Sequence, residues 1–312
     1  MSASHPYSQL SDLFVYGLLP VFSTLMPAAL SRRMLRAASR WRWLMAAAAE
    51  DACRHAKTLV DVGDQAAWMA RWKQVELLEV RDLFMMMCGR SGAVLSEVEC
   101  PDGLELVRDR VLIGMHWGPS ISILKLLQAA GFDPALPYRA PEKALLRQRP
   151  FAYLFSRMAV RYVVKTLGER AIPIGGAGAA LRGLLGKPGS VFVVMDAPPM
   201  AGRPTVSVPV LGKNARFNKG FPAILAQSDK QYLFYAMSLA GEGSLRKRLK
   251  LEGPYTAGSA ESFLADYGRH LEKHLCADSA HWRIWHVAGQ LWADPAPETG
   301  TDPAAGSCTI EP

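Results

Sequence analysis

The stretch "RVLIGMHWGPSISILKLL" (110–127) sets a histidine, His116, at the end of a short apolar run and two residues before a glycine. "VLIGM" (111–115) predicts a buried strand, and the apolar spacing over 119–130 predicts an amphipathic helix. Gly118 permits a tight strand-to-helix turn, and Pro119 and Ser120 suit the start of the helix. An imidazole at such a corner is suited to take a proton from an alcohol, and the N–H groups of the helix start are suited to an oxyanion or a phosphate. One helical turn later, where an orienting carboxylate is expected, stands Ile121. The plainer alternative is a core histidine satisfied by its neighbours.

A second candidate is Asp196, which ends the apolar run "SVFVVMD" (190–196). Its place at a strand end favours a site, whereas the following "APPMAGRP" favours a turn-forming aspartate. Arg203 and Lys213 lie close by in sequence and suit either a phosphate group or solvent. Ser120 is read as a helix N-cap rather than a nucleophile.

These residues need a framework. Residues 46–90 carry helical periodicity, with Met85, Met86 and Met87 taken as packing residues. Beyond them, apolar runs alternate with helical stretches: strands at 111–115, 171–176, 190–196, 205–212 and 231–239, helices at 119–130, from 177, and at 221–228. That order predicts one α/β domain with a mostly parallel or mixed sheet, with His116 and Asp196 facing one cleft beyond the strand ends. No internal repeat is evident.

The chain of 312 residues carries a net charge of +8 and a pI near 9.3, which favours acidic partners. Its five scattered cysteines lack metal-ligand spacing, arguing against a zinc site or a disulfide framework and for a reducing compartment. No helix-turn-helix, RNA-binding or zinc-knuckle pattern supports a nucleic-acid partner. "LFVYGLLPVFSTLMPAAL" (13–30) is uncharged, and Arg32, Arg33, Arg36, Arg40 and Arg42 follow it, interleaved with Trp41 and Trp43. That order predicts a segment that spans or lies on an anionic membrane, leaving the body of the protein on the cytoplasmic side. A buried hairpin with a basic face is the alternative. "RKRLK" (246–250) is read as a solvated face able to dock an acidic carrier protein. The acidic, Pro- and Gly-rich tail is expected to be disordered. The resulting organisation is a membrane-associating segment at 1–45, an α/β domain at 46–293 and a tail at 294–312.

Taken in order, "GMHWGPS", "PYRAPE" (137–142), "VFVVMDAPPMAGRPTVSVPVLGKNARFNKGFPAILAQS" and "HWRIWHVAG" (281–289) resemble the lipid A lauroyl/myristoyl acyltransferase family, within the glycerophosphate acyltransferase superfamily. The resemblance extends over roughly residues 13–292. It implies an acyltransferase-like α/β fold at the cytoplasmic face of a bacterial inner membrane. An acyl chain would pass from a thioester of acyl carrier protein or coenzyme A to a hydroxyl or amine of a lipid or glycolipid. It implies no metal or redox cofactor. His116 would be the base, with Gly118 and Ser120 at the oxyanion or phosphate site and Arg139 and Asp196 on the acceptor side. Arg203 and Lys213 would meet phosphopantetheine or an acceptor phosphate. Ile121 replaces the family's acid, Ala197 follows Asp196 where a glutamine is usual, and the paired arginines after His286 are absent. Three outcomes follow: Asp196 or Glu142 orients His116, no acid is needed, or acyl chains are bound without turnover.

Overall fold

The computed structural model describes residues 6–174, 177–200, 202–241, 244 and 246–292. The expected tail at 294–312 lies outside them, as do Gly175 and Gly176. Among the described residues the strands are β1 (Val98–Glu99), β2 (Val111–Gly114), β3 (Pro134–Tyr138), β4 (Ala171–Pro173), β5 (Ser190–Val194), β6 (Thr205–Val210), β7 (Lys213–Asn218), β8 (Gln231–Leu239) and β9 (Lys247–Thr256). Seven of them form a mixed sheet in the order β1-β9-β8-β2-β5-β3-β4, which establishes the expected α/β class. β2 is central, parallel to β5 on one side and to β8 on the other, and β9 returns antiparallel to β8.

The period of two along the central strands divides the core into two layers. Val111, Ile113, Val191, Val193 and Phe234 face one side, where the helix Ala260–Asp278 brings Phe263, Leu264, Tyr267 and Leu271. Leu112, Phe192, Leu233 and Tyr235 face the other, against Ile123, Leu124 and Leu127 of the helix Ser122–Ala129 and Val163 and Leu167 of Pro150–Leu167. A third cluster surrounds the helix Gln65–Met87 and includes Val15, Leu19 and Leu35 of the N-terminal region beside Val75, Leu78 and Met86.

Several elements differ from the sequence expectation. The run 205–212 is half of a separate antiparallel hairpin with β7, because Leu211 and Gly212 both take positive φ and reverse the chain in two residues. "RKRLK" opens β9, so its alternate side chains point inward: Lys247 is fully buried on Asp82, while Arg248 and Lys250 stay exposed. The N-terminal apolar run is broken, by a π-helical turn at Phe14–Leu18 and by Pro27, which separates the helices Leu19–Leu25 and Ala28–Ser39. Among the described residues no helix is long and apolar enough to cross a membrane.

The helix Ala260–Asp278 carries two buried histidines toward the sheet. His270 stacks on Phe234 at 4.5 Å between ring centres, and His274 lies 5.1 Å from Trp117. Burial lowers both pKa values, to about 4 and about 3, against the opposing pull of Glu252 and with Lys273 adding to the depression; Lys250 also lowers that of His274. Both rings are thus neutral in the folded chain at pH values where the unfolded chain is already protonated. Stability is therefore expected to fall as pH drops below about 6.5, by up to about 1.4 kcal/mol per pH unit for each histidine. Denaturant unfolding between pH 7 and pH 4.5 measures this slope, and His274→Phe should flatten it.

Candidate active site

His116 and Asp196 lie two residues beyond neighbouring parallel strands. The β2–β5 register pairs Gly114 with Val194, and Met195 N–H donates to the Gly114 carbonyl at 3.0 Å, so the next residues of each strand, His116 and Asp196, arrive side by side. Gly114 is required here, since a Cβ would fall about 2 Å from the Tyr235 ring. Gly118 has φ +59°, and a Cβ there would lie 1.7 Å from the Met237 carbonyl oxygen. The sharp turn after His116 thus depends on a residue without a side chain.

The Asp196 carboxylate is fully buried and accepts three hydrogen bonds. His116 main-chain N–H reaches Oδ2 at 2.7 Å, His116 Nδ1 lies 2.8 Å from Oδ1, and Trp282 Nε1–H donates to Oδ2 at 2.7 Å. A carboxylate on Nδ1 favours the tautomer with the proton at that nitrogen, leaving Nε2 as the free base. The histidine side chain is 39% exposed, so the ring opens outward while its anchor stays dry. Asp196 is therefore the orienting carboxylate. Glu142, the alternative, pairs with Arg139 at 2.5 Å on an exposed loop. The charge on Asp196, after burial itself, also drives up the pKa values of the buried Tyr235 and Tyr267 hydroxyls.

The main chain around His116 is fixed from the far end of the sequence. Segment 281–283 runs antiparallel to 116–118: Gly118 N–H donates to the His281 carbonyl and Arg283 N–H to the His116 carbonyl, each at 2.8 Å. His281 accepts from Leu239 N–H at 3.0 Å and turns its other ring nitrogen to Asp278. Burial raises the Asp278 pKa, but His281 and Arg71 overcome it and hold that carboxyl at about 2.

The helix start does not serve as the expected anion site. Ser120 N–H bonds to the Gly118 carbonyl, and Ile121 N–H donates at 3.0 Å to Oε2 of Glu79, which reaches over from the Gln65–Met87 helix. The regular helix begins only at Ser122, and Ser120 makes no side-chain cap. Glu79 thus occupies the seat proposed for an oxyanion or phosphate. Ile121 packs half-buried between two apolar clusters. The carboxylate missing from position 121 has not been replaced in kind: Glu79 holds the helix start, and Asp196 holds the imidazole.

Glu79 belongs to a charged group the sequence did not disclose. Arg283 donates to Glu79 at 2.6 Å and to both oxygens of Glu76 at 3.0 and 3.2 Å. Burial raises the Glu79 pKa, with Arg283 and the Ile121 N–H opposing it. Nearby, Arg149 forms a two-pronged pair with Asp12 at 2.8 and 2.6 Å. Burial pushes the Tyr16 hydroxyl up to about 12, against the charge of Arg149. His286 reaches solvent, yet enough protein surrounds it that desolvation lowers its pKa, with the neighbouring His116 adding to the effect.

Of the other sequence candidates, Gly118 is at the site. Arg139 stays with Glu142, Lys213 Nζ donates to the Thr58 carbonyl at 3.0 Å, and Arg203 is exposed in a turn closed onto Met200. Trp282 was within reach of the sequence, as an aromatic donor in the "HWRIW" segment. Glu76, Glu79 and Arg283 were not, because nothing local marks a partner about two hundred residues away.

Ile121→Glu would place a third carboxylate beside Glu79 without freeing Nδ1 of His116, which Asp196 already holds. It is expected to lower stability by about 2–4 kcal/mol and to give no gain in any His116-dependent activity. Thermal unfolding and a turnover assay on the same preparation check both halves.

Compared with known proteins, the sequence matches no family model and no curated protein.

Proposed function

We propose that the protein is an acyltransferase of the lipid A lauroyl/myristoyl type, moving an acyl chain from a thioester to a hydroxyl or amine of a lipid or glycolipid. The observation that carries this is the His116–Asp196 pair, a partly exposed imidazole on a buried carboxylate at the carboxyl ends of neighbouring parallel strands. Nε2 of His116 takes the proton of the acceptor hydroxyl as its oxygen bonds to the thioester carbonyl carbon. The tetrahedral species collapses, the carbon–sulfur bond breaks, and the imidazolium returns the proton to the departing thiolate. The donor is acyl carrier protein or acyl-coenzyme A.

The N-terminal region supports a membrane-bound acceptor. Phe22, Leu25, Leu30, Trp41 and Trp43 are exposed, and Phe14, Trp41 and Trp43 pack together with ring centres 5.5–5.9 Å apart. Arg33, Arg40 and Arg42 lie among these residues in sequence. Aromatic, aliphatic and cationic groups on short helices suit binding in the interface of an anionic bilayer, on the cytoplasmic face of a bacterial inner membrane, rather than insertion across it. A second reading, an acyl- or lipid-binding relative without turnover, is favoured by one observation: Glu79 occupies the N–H at the helix start where an oxyanion would be stabilised.

Incubation of the purified chain with labelled acyl carrier protein and acyl-coenzyme A thioesters, with anionic lipid present, decides between them. Acyl transfer is expected, abolished in His116→Ala and reduced by about 10²–10⁴ in Asp196→Asn. Thioester binding with neither transfer nor hydrolysis favours the binding protein, and equal turnover in wild type and His116→Ala removes the base from the proposal. Liposome flotation should show retention on anionic but not neutral vesicles, weakened severalfold in the Trp41→Ala/Trp43→Ala variant.

A further inference from the structure

Beyond Trp117, Glu252 of β9 and His270 and His274 of the helix Ala260–Asp278 turn toward one point. One ligand atom from each, a carboxylate oxygen and two ring nitrogens, lie within 4.8 Å of one another. The spacing explains the helix's share: residues four apart stand one above the other on the same face. The strand's share follows from the β8–β9 register, in which Glu252 pairs with Phe234, the residue on which His270 stacks. Nδ1 of His270 sits 3.4 Å from Oε2 of Glu252.

The polar atoms here are poorly used for a buried place. His270 is 4% exposed and His274 7%, yet Nε2 of His274 has no hydrogen-bonding partner among the described residues, and Nδ1 of His270 meets the Glu252 carboxylate only at 3.4 Å. Buried imidazole nitrogens ordinarily find close partners, so a bare one beside a loosely held imidazole–carboxylate contact needs a reason beyond packing. A core that wanted only the ring shape would be served by phenylalanine or leucine at lower desolvation cost.

We infer that Glu252, His270 and His274 form a binding site for a single divalent transition-metal ion of the zinc class. Two neutral imidazoles and one carboxylate are a common three-ligand set for zinc, with a water completing the tetrahedron. Around bonds of about 2.0–2.1 Å the donor atoms would stand about 3.3 Å apart, so the group needs to contract by up to about 1.5 Å from its present spread. Rotation of the Glu252 carboxylate, on a side chain 28% exposed, supplies part of that movement. A neutral imidazole carries one bare nitrogen, which can take a cation without displacing a proton. The opposing feature is Lys273, whose ammonium holds Oε1 of Glu252 at 2.6 Å; its side chain is 63% exposed and leaves Oε2 facing the histidines. Because His274 packs on Trp117, next to His116, an ion here would brace the turn that carries the proposed base. The site is independent of the acyl-transfer assignment.

The test is a titration of the chelator-treated, full-length chain with Co²⁺, read by visible d–d absorption and followed by Zn²⁺ displacement. One equivalent is expected to give the bands of a four-coordinate ion, and Zn²⁺ should erase them and raise the melting temperature. His274→Gln should lose the bands. Glu252→Gln, which leaves the buried rings in place and so is expected to fold, should weaken binding about tenfold or more. Lys273→Gln, by removing a competing cation, should tighten it. Absence of Co²⁺ bands in the wild type overturns the site. So does binding that is unchanged in Glu252→Gln and His274→Gln, because the ion would then lie elsewhere, for instance on His116 and His286.

Discussion

The arrangement at the strand ends depends on one buried carboxylate. Asp196 receives the main chain and the ring of His116 and the indole of Trp282, so a single charge fixes the turn, the tautomer and the segment that closes over both. A buried charge is tolerated only when its oxygens are well supplied with donors, and here three converge. The sheet supplies the rest of the geometry without special residues: parallel neighbours in register deliver the residues beyond their ends to the same place.

A separate electrostatic group stabilises the other half of the corner. Arg283 lies between Glu76 and Glu79, and Glu79 in turn holds the Ile121 N–H at the beginning of the helix. A helix start carries partial positive charge, so an internal carboxylate is a natural occupant. The chemistry of the cleft is shaped by that choice: the positive end of this helix has been spent on stabilising the fold. The Ile121 N–H is thereby engaged inside the fold rather than presented to the cleft.

Much of the framework could be read from the chain because it rests on local pattern. The strand 231–239 has the extent its apolar run indicated, and the corner of β2, His116 and Gly118 follows from a buried run and a glycine. Asp196 could be placed at a strand end and in the cleft of His116, but not chosen over Glu142 as its partner, since register is a property of two strands and not of one. The β6–β7 hairpin was missed because a leucine at positive φ carries no turn signal in sequence. Lys247 was read as solvated because a basic run hides the alternation that buries every second residue of β9. Glu79 and Arg283 sit in helix and loop contexts where charged residues are usually exposed, and only tertiary contact draws them inward. The histidines at 270 and 274 show helical spacing, but the strand residue that gives this spacing chemical meaning is not identifiable until β9 is seen.

The lacing of segment 281–283 against 116–118 has a consequence for how the molecule comes into being. His116 meets Asp196 across 80 residues of chain, and Asp196 meets Trp282 across a further 86. Contacts of such sequence separation form late, after the loops between them have been closed. During synthesis, the stretch carrying the histidine is made long before the stretch that locks it. A nascent or clipped chain therefore presents an imidazole without its carboxylate and indole clamp. The complete arrangement of ring, carboxylate and indole thus exists only once nearly all of the described chain has been made and folded.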